Sequence, residues 1–327
     1  MAGSLLQERI DRLRIAGKAK NTLTAYEKAE RYFAAWLGLV KGEELSYPID
    51  QDVIVEFVVS HVEGLPVDVD LAMVQAGVKA RMGLHSVGSI RSKVIGIGHF
   101  HKERGLSNPC RSDVINDILL SAQRMRAAAG MTKKKSMAIT KPMLDRMIGK
   151  INTRTLEGKR DRAVLEFGFY TGGRRRSEIA NAEFRFLTKV GGGWEYLLHR
   201  SKTDQAGKGA VKFLRARYAK GLETWLEAAG IRGGYLFRKL TPGGEVTESR
   251  LPGAEINSHI VKRYVSAIGE DADFFSAHGL RRGFITHCGR LGIPIFDVMQ
   301  MTGHKDIRTV HAYYEEGKIG SNPATKL

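Results

Sequence analysis

The stretch Ala277-His278-Gly279-Leu280-Arg281-Arg282-Gly283, followed by Thr302-Gly303-His304 and then by Tyr313, decides how this chain of 327 residues is read. If the first segment is helical, His278 and Arg281 stand about one turn apart and can face the same group. A second histidine and a tyrosine nine residues beyond it complete a set suited to attacking a phosphodiester. Without a metal, that reaction needs a nucleophile, cations fixed on the non-bridging oxygens and an acid for the departing oxygen.

Guanidinium is the natural clamp, because its planar fork stays charged and meets two phosphate oxygens at once. Arg281 is one candidate. The other lies in Gly172-Gly173-Arg174-Arg175-Arg176-Ser177-Glu178, where both Arg174 and Arg175 qualify. Lys202, in His199-Arg200-Ser201-Lys202-Thr203-Asp204-Gln205, follows them in the order and by itself reads as a solvated loop lysine. Tyr313 is the candidate nucleophile. With an intrinsic pKa of about 10 it needs help losing its proton, and His278 is the assigned assistant. Tyr314 is chemically equal, and since on a helix the two side chains diverge by about 100°, one phosphate is served by one of them; residue type alone does not choose between them. Each residue alone has a plainer reading: a helix-capping histidine, a solvated lysine, a packed tyrosine. Their order carries the weight. His287 is assigned to packing and His311 to the surface.

The net charge of +17 and pI of about 9.9 favour a polyanionic partner. Nucleic acid ranks ahead of a membrane surface, because no apolar run approaches the roughly 18 residues of a spanning helix. Residues 1–136 hold 20 basic and 15 acidic side chains and residues 137–327 hold 32 and 20, so the C-terminal part carries most of the excess. Cys110 and Cys288 stand far apart without ligand spacing, which suggests neither a disulfide framework nor a zinc site. The histidines outside the set show no metal-binding spacing, and no phosphate-binding glycine loop precedes a Lys-Ser or Lys-Thr pair. No cofactor and no metal are therefore expected. A polar N-terminus without the apolar core of a signal peptide places the chain in the cytoplasm as an expectation.

Periodicity predicts helices over residues 21–39, 54–62, 89–101 and 112–129, an all-helical first domain at 1–130. The pattern fades at 131–139, read as a linker, where Lys133, Lys134 and Lys135 are candidate phosphate contacts. A second domain at 140–327 mixes elements. It opens at Thr140-Lys141-Pro142, a helix start. A buried helix over 158–170 follows, then strands at 184–190, 194–201 and 211–214, and helices at 219–229, 258–268, 281–291 and 295–301. Gly317, Gly320 and Pro323 argue against a long helix after the tyrosine.

The ordered set Arg, Lys, His-x-x-Arg, His, Tyr resembles the tyrosine recombinases, also called the phage integrase family. The resemblance covers nearly the whole chain, with residues from about 140 to 315 matching motif by motif. It implies a mainly α fold with a small antiparallel β-sheet in the C-terminal domain. The architecture would be a two-domain clamp, a helical core-binding domain plus an α+β catalytic domain. It also implies cleavage of duplex DNA through a 3′-phosphotyrosine, strand exchange through a Holliday junction, and a homotetramer on inverted-repeat sites formed from a chain that is monomeric when free. The nine-residue step from His304 would select Tyr313 over Tyr314 as the nucleophile, His304 would donate to a non-bridging oxygen, Lys202 would protonate the leaving 5′-oxygen, and Glu178 would orient the neighbouring arginines. Arg282 would contact DNA. The family motif resembles Thr-Gly-x-Arg-x-Ser-Glu; counting from Thr171 selects Arg174 and counting back from Glu178 selects Arg175, so one residue is extra. Arg175 is preferred because the helix starting near Ser177 fixes the position just before it, with Arg174 as the alternate. Two rival readings are a type IB topoisomerase, which would relax DNA lacking any special site, and a non-enzymatic DNA-binding protein, which would form no covalent adduct.

Overall fold

The computed structural model describes residues 20–131, 136–199 and 209–319. Lys133, Lys134, Lys135 and Lys202 lie outside the described residues. The chain divides into two compact units, Met1–Lys133 and Lys134–Leu327.

The first unit is helical among its described residues. Helix α1 (Lys20–Lys41) buries Ala29, Tyr32, Phe33, Trp36 and Leu37, the spacing of a single apolar face. Against it lie α2 (Gln51–Glu63), α3 (Val67–Gln75), α4 (Val87–Glu103) and α5 (Asp113–Ala128), which contribute Ile54, Phe57, Met73, Ile90, Ile97, Ile115 and Leu119 to one core. The hydroxyl of Ser86 caps α4 by accepting from the Ser89 N–H at 3.1 Å. Helix α3 was not expected: Val67-Asp68-Val69-Asp70 alternates like a strand. A second force fixes it, since Asp70 is buried and pairs with Lys79.

The second unit opens with Ser136–Ile139, part of the segment read as a linker. Here it lies on the core: the Ile139 N–H donates to Gly279 O at 2.9 Å, the Met137 N–H to Phe274 O at 2.7 Å, and Ile139 is fully buried. Helix α6 (Lys141–Gly149) follows with Pro142 in its first turn, then α7 (Leu156–Tyr170), capped by Thr155 and buried on most sides. After α8 (Arg176–Ala180) comes an antiparallel sheet in the order β1 (Leu187–Val190), β2 (Gly193–Leu198), β3 (Ala210–Arg215). The first strand starts later than expected because Phe184–Phe186 form a 3₁₀ turn.

The third strand turns a lysine inward and two of its apolar residues outward. Val211 and Phe213 are largely exposed, while Lys212 and Leu214 are 3% and 1% exposed. Helix α9 (Ala216–Ala228) follows, then a short hairpin absent from the sequence reading, β4 (Arg238–Leu240) and β5 (Val246–Arg250). Next come α10 (Gly253–Glu255), a π-helical stretch (Ile256–Lys262) and α11 (Arg263–Ala267). The last three helices carry most of the candidate site: α12 (His278–Arg290), α13 (Ile295–Thr302) and α14 (Arg308–Lys318).

Two glycines set the approach of α12 to α14. A Cβ on Gly289 would fall 2.2 Å from Tyr314 O, and one on Gly317 would fall 2.0 Å from Thr286 O. Neither contact leaves room for a methyl group. Gly317→Ala is expected to destabilise the unit by about 1–3 kcal/mol, as forced overpacking does, seen as a lower urea midpoint. An unchanged midpoint would show that the two helices are not held in forced contact.

Candidate active site

The site is built around the turn Thr171-Gly172-Gly173 that ends α7. Both glycines have positive φ, 100° and 67°. A Cβ on Gly172 would meet Met301 O at 2.4 Å, and one on Gly173 would meet Arg281 Cα at 2.5 Å. The turn is thus pressed between α12 and the end of α13, and only glycine fits.

The two adjacent arginines after the turn separate. Arg174 is wholly buried, and its Nη2 donates to Met301 O at 2.6 Å and Gly172 O at 3.0 Å. Burial pushes its pKa down. Arg175 sits at the N-cap of α8 with its side chain partly open. Its Nη1 donates to Glu178 Oε1 at 2.6 Å, and its own N–H donates to the other carboxylate oxygen at 3.1 Å. Glu178 also lies 3.6 Å from Arg174 Nη1, so one buried carboxylate serves both arginines. Arg175 presses harder than Arg174 on the charge of both Arg281 and His304.

Arg281 is 1% exposed and points from α12 towards the loop after α13. Its Nη1 donates to Gly173 O at 3.0 Å, while Nη2 and Nε stand 3.1 and 3.4 Å from His304 Nε2. Burial, Arg175 and Arg174 lower its pKa, but a guanidinium stays charged. His304 follows Gly303, which takes the left-handed conformation that ends α13. Burial and then Arg281, Arg175, Arg174 and His278 push its pKa down to about 3, so the ring is neutral at neutral pH. His278 opens α12 and remains exposed. Its pKa is also lowered, by desolvation and by Arg281, Arg175 and Arg282. As the ring faces solvent, the arginine field is the better-founded cause.

The two tyrosines also separate. Tyr314 is buried in the small core between α12, α13 and α14, and its hydroxyl donates to Ile293 O at 2.6 Å. Tyr313 is half-buried on the next face of α14. Its carbonyl accepts from Thr286 Oγ1 at 3.1 Å, and the Arg282 guanidinium lies 4.8 Å from its ring centre. Arg282, a candidate DNA contact, is engaged within the protein: it grips Glu316 at 2.9 and 2.6 Å and donates to Ser136 O at 2.8 Å.

The sequence reading missed Lys212. Its Nζ donates to Gln300 O at 2.6 Å, and burial together with Arg174 and Arg281 lowers its pKa to about 8. The one available signal was parity: a lysine midway along a short strand has even odds of facing in. Thr302 was also missed; its hydroxyl lies 2.7 Å from His304 Nδ1. Lys202 belongs to the connection between β2 and β3.

Residues 137–318 match the phage integrase family. The chain is 29% identical over 242 residues to an integrase/recombinase xerD homolog of Selenomonas ruminantium, covering 71% of this chain and 69% of that protein. It is 23% identical over 243 residues to recombinase cre of Escherichia phage P1, covering 70% of each. The fold is similar to that of a XerH site-specific recombinase solved with a palindromic difH substrate, with a TM-score of 0.57, 16% identity, and coverage of 86% of this chain and 72% of the other. The family match spans more than half the chain and contains the turn, the sheet and all three helices of the site, so the chain belongs to the phage integrase family, the tyrosine recombinases.

Proposed function

We propose that this chain is a site-specific DNA recombinase in which Tyr313 attacks the scissile phosphorus, forming a 3′-phosphotyrosine and freeing a 5′-hydroxyl. The strand is then exchanged through a Holliday junction. The observation that carries this reading is the convergence of Arg175, Arg281, His278 and His304 from three separate segments, beside a helix that offers a half-buried tyrosine.

Arg175 and Arg281 hold the non-bridging oxygens, where donors fixed before the reaction act at the developing charge. His278 takes the tyrosine proton, and its lowered pKa keeps it in the unprotonated form that a base requires. Lys202 delivers a proton to the 5′-oxygen. Arg174 is assigned a supporting role, because it is wholly buried and its Nη2 is held by carbonyls of the turn and of α13. Glu178 orients both arginines.

The partner is duplex DNA with an inverted-repeat site, and Lys133, Lys134 and Lys135 contact its phosphates. A chain that is monomeric when free and tetrameric in the synaptic complex, working in the cytoplasm of a bacterial or mobile-element host, completes the proposal. Family membership supports strand exchange over simple relaxation or non-enzymatic binding.

A nicked suicide duplex carrying the inverted repeats beside the gene tests the nucleophile. Wild type and Tyr314→Phe are expected to give a covalent protein-DNA band on a denaturing gel, and Tyr313→Phe none. Tyr314→Phe should cost about 1 kcal/mol of stability through its lost hydrogen bond. A band kept by Tyr313→Phe and lost by Tyr314→Phe would exchange the two roles.

The arginines separate in the same assay. Arg175→Ala is expected to lower the cleavage rate by roughly 10² to 10³, the effect of losing a fixed oxyanion donor, with little change in the urea midpoint. Arg174→Ala is expected to destabilise the unit by about 3–5 kcal/mol, since it breaks a buried ionic network, and so to lower the midpoint strongly. A stable but inactive Arg174→Ala beside an active Arg175→Ala would reverse the assignment.

A further inference from the structure

Arg282 follows Arg281 on α12 and is held from three sides. Its Nη1 donates to Ser136 O at 2.8 Å, in the segment that opens the second unit, and its Nη2 grips both carboxylate oxygens of Glu316 at 2.9 and 2.6 Å. The same guanidinium lies over the Tyr313 ring, 4.8 Å from its centre, within the range of a cation–π contact. Tyr313 and Glu316 stand about one turn apart on α14, so one side chain of α12 reaches both. The Arg282 side chain is 13% exposed, and its Nε is buried without a hydrogen-bond partner. Both terminal nitrogens are engaged within the protein, and little of the side chain is left to meet a phosphate.

Other contacts between α12 and α14 fix the backbone of residue 313 rather than its ring. Thr286 Oγ1 donates to Tyr313 O at 3.1 Å, and Gly289 and Gly317 let the helices touch. The ring packs partly on the small core around Tyr314. Apolar packing is non-directional, whereas a cation favours the face of a ring. The phenol oxygen stands at the far end of that ring, so a tilt of its plane displaces the attacking atom, and a misplacement of about 1 Å can cost roughly 10²-fold in rate.

We infer that Arg282 is a positioning residue for the nucleophile: braced by Ser136 and Glu316, its guanidinium holds the plane of the Tyr313 ring in register with Arg281, and it does not serve as a DNA contact. This role deepens the proposed function and rests on Tyr313 being the attacking residue. Arg282 also belongs to the field that lowers the pKa of His278, after burial, Arg281 and Arg175. Removing its charge lets that histidine rise towards its ordinary range, an effect the experiment has to separate from the position of the ring.

The test follows single-turnover cleavage of the nicked suicide duplex by the full chain as a function of pH. Arg282→Met is expected to lower the plateau rate roughly 10- to 100-fold, and Glu316→Gln, which keeps the arginine and loosens its brace, to lower it less. The double variant should be no slower than Arg282→Met, because the two act as one unit. A shift of the acid limb to higher pH with an unchanged plateau would place the effect in His278 and overturn the inference. Binding supplies the second readout: the dependence of affinity on salt should be that of wild type, whereas a slope smaller by about 0.9 would make Arg282 a phosphate contact. The third uses hydrogen peroxide with Tyr313→Phe, where the hydroperoxide anion attacks phosphorus in place of the phenol and the 5′-hydroxyl leaves. Adding Arg282→Met should leave this protein-free cleavage unchanged; an equal slowing would put the defect in the clamp and not in the tyrosine. A covalent adduct kept by Tyr313→Phe would remove the nucleophile assignment itself, and this role of Arg282 with it, whatever the Arg282 variants do.

Discussion

Positive charge held at close quarters is the constraint on which the rest of the second unit depends. Arg174, Arg175, Arg281 and Lys212 act on one another, and the carboxylate they share is Glu178. Burying charge without sufficient counter-charge is costly unless hydrogen bonds replace the lost water. Backbone carbonyls supply part of them, while Arg174 Nε and Nη1 are buried without a hydrogen bond. Gly172 O and Gly173 O come from the turn, and Gln300 O and Met301 O from the last turn of α13. The last carbonyls of a helix have no partner within it and form the negative end of its dipole. Helix α13 thus ends where cations need acceptors, and the cations cap the helix in return.

That arrangement explains why the glycine turn has the form it does. A carbonyl can face a guanidinium only if its backbone comes close, and at Gly172 and Gly173 a single added carbon would collide with α13 or α12. The same excess of charge governs the two histidines. Both are pushed towards the neutral form, which fits the base role proposed for His278 and holds His304 unprotonated beside Arg281. A polyanion entering this field relieves repulsion that folding has already overcome, so the charge that costs stability also serves recognition.

Much of this was legible in the sequence, for identifiable reasons. Long amphipathic segments such as α1 and α5 announce themselves by spacing alone. Short elements do not: α3 hides behind alternating valine and aspartate, and β4 and β5 span three and five residues. The inward face of β3 was illegible because Val211 and Phe213 argue for one parity while the packing of Leu214 and the bond from Lys212 to Gln300 impose the other. Tertiary contacts outvote four residues of pattern. The ordered set of candidate residues was readable, but which member of each adjacent pair faces the site was not, because that depends on where the neighbouring elements pass.

Three such pairs lie in the site, and each divides its labour the same way. Arg174 turns inward to carbonyls and Arg175 to Glu178 with its side chain partly open; Tyr314 anchors α14 to Ile293 and Tyr313 is left half-buried. Successive residues on a helix diverge by about 100°, so a doublet can grip two elements at once. Arg281 and Arg282 use this most fully. From adjacent positions on α12, the first reaches the turn and His304, and the second reaches Ser136, Glu316 and the ring of Tyr313. Rotating α12 would displace Arg281 from His304 and the support of the Tyr313 ring together. The register between Arg281, the proposed phosphate clamp, and Tyr313, the proposed nucleophile, is therefore carried by one short helix, whose glycines at 283 and 289 let the flanking backbones press close enough to fix it.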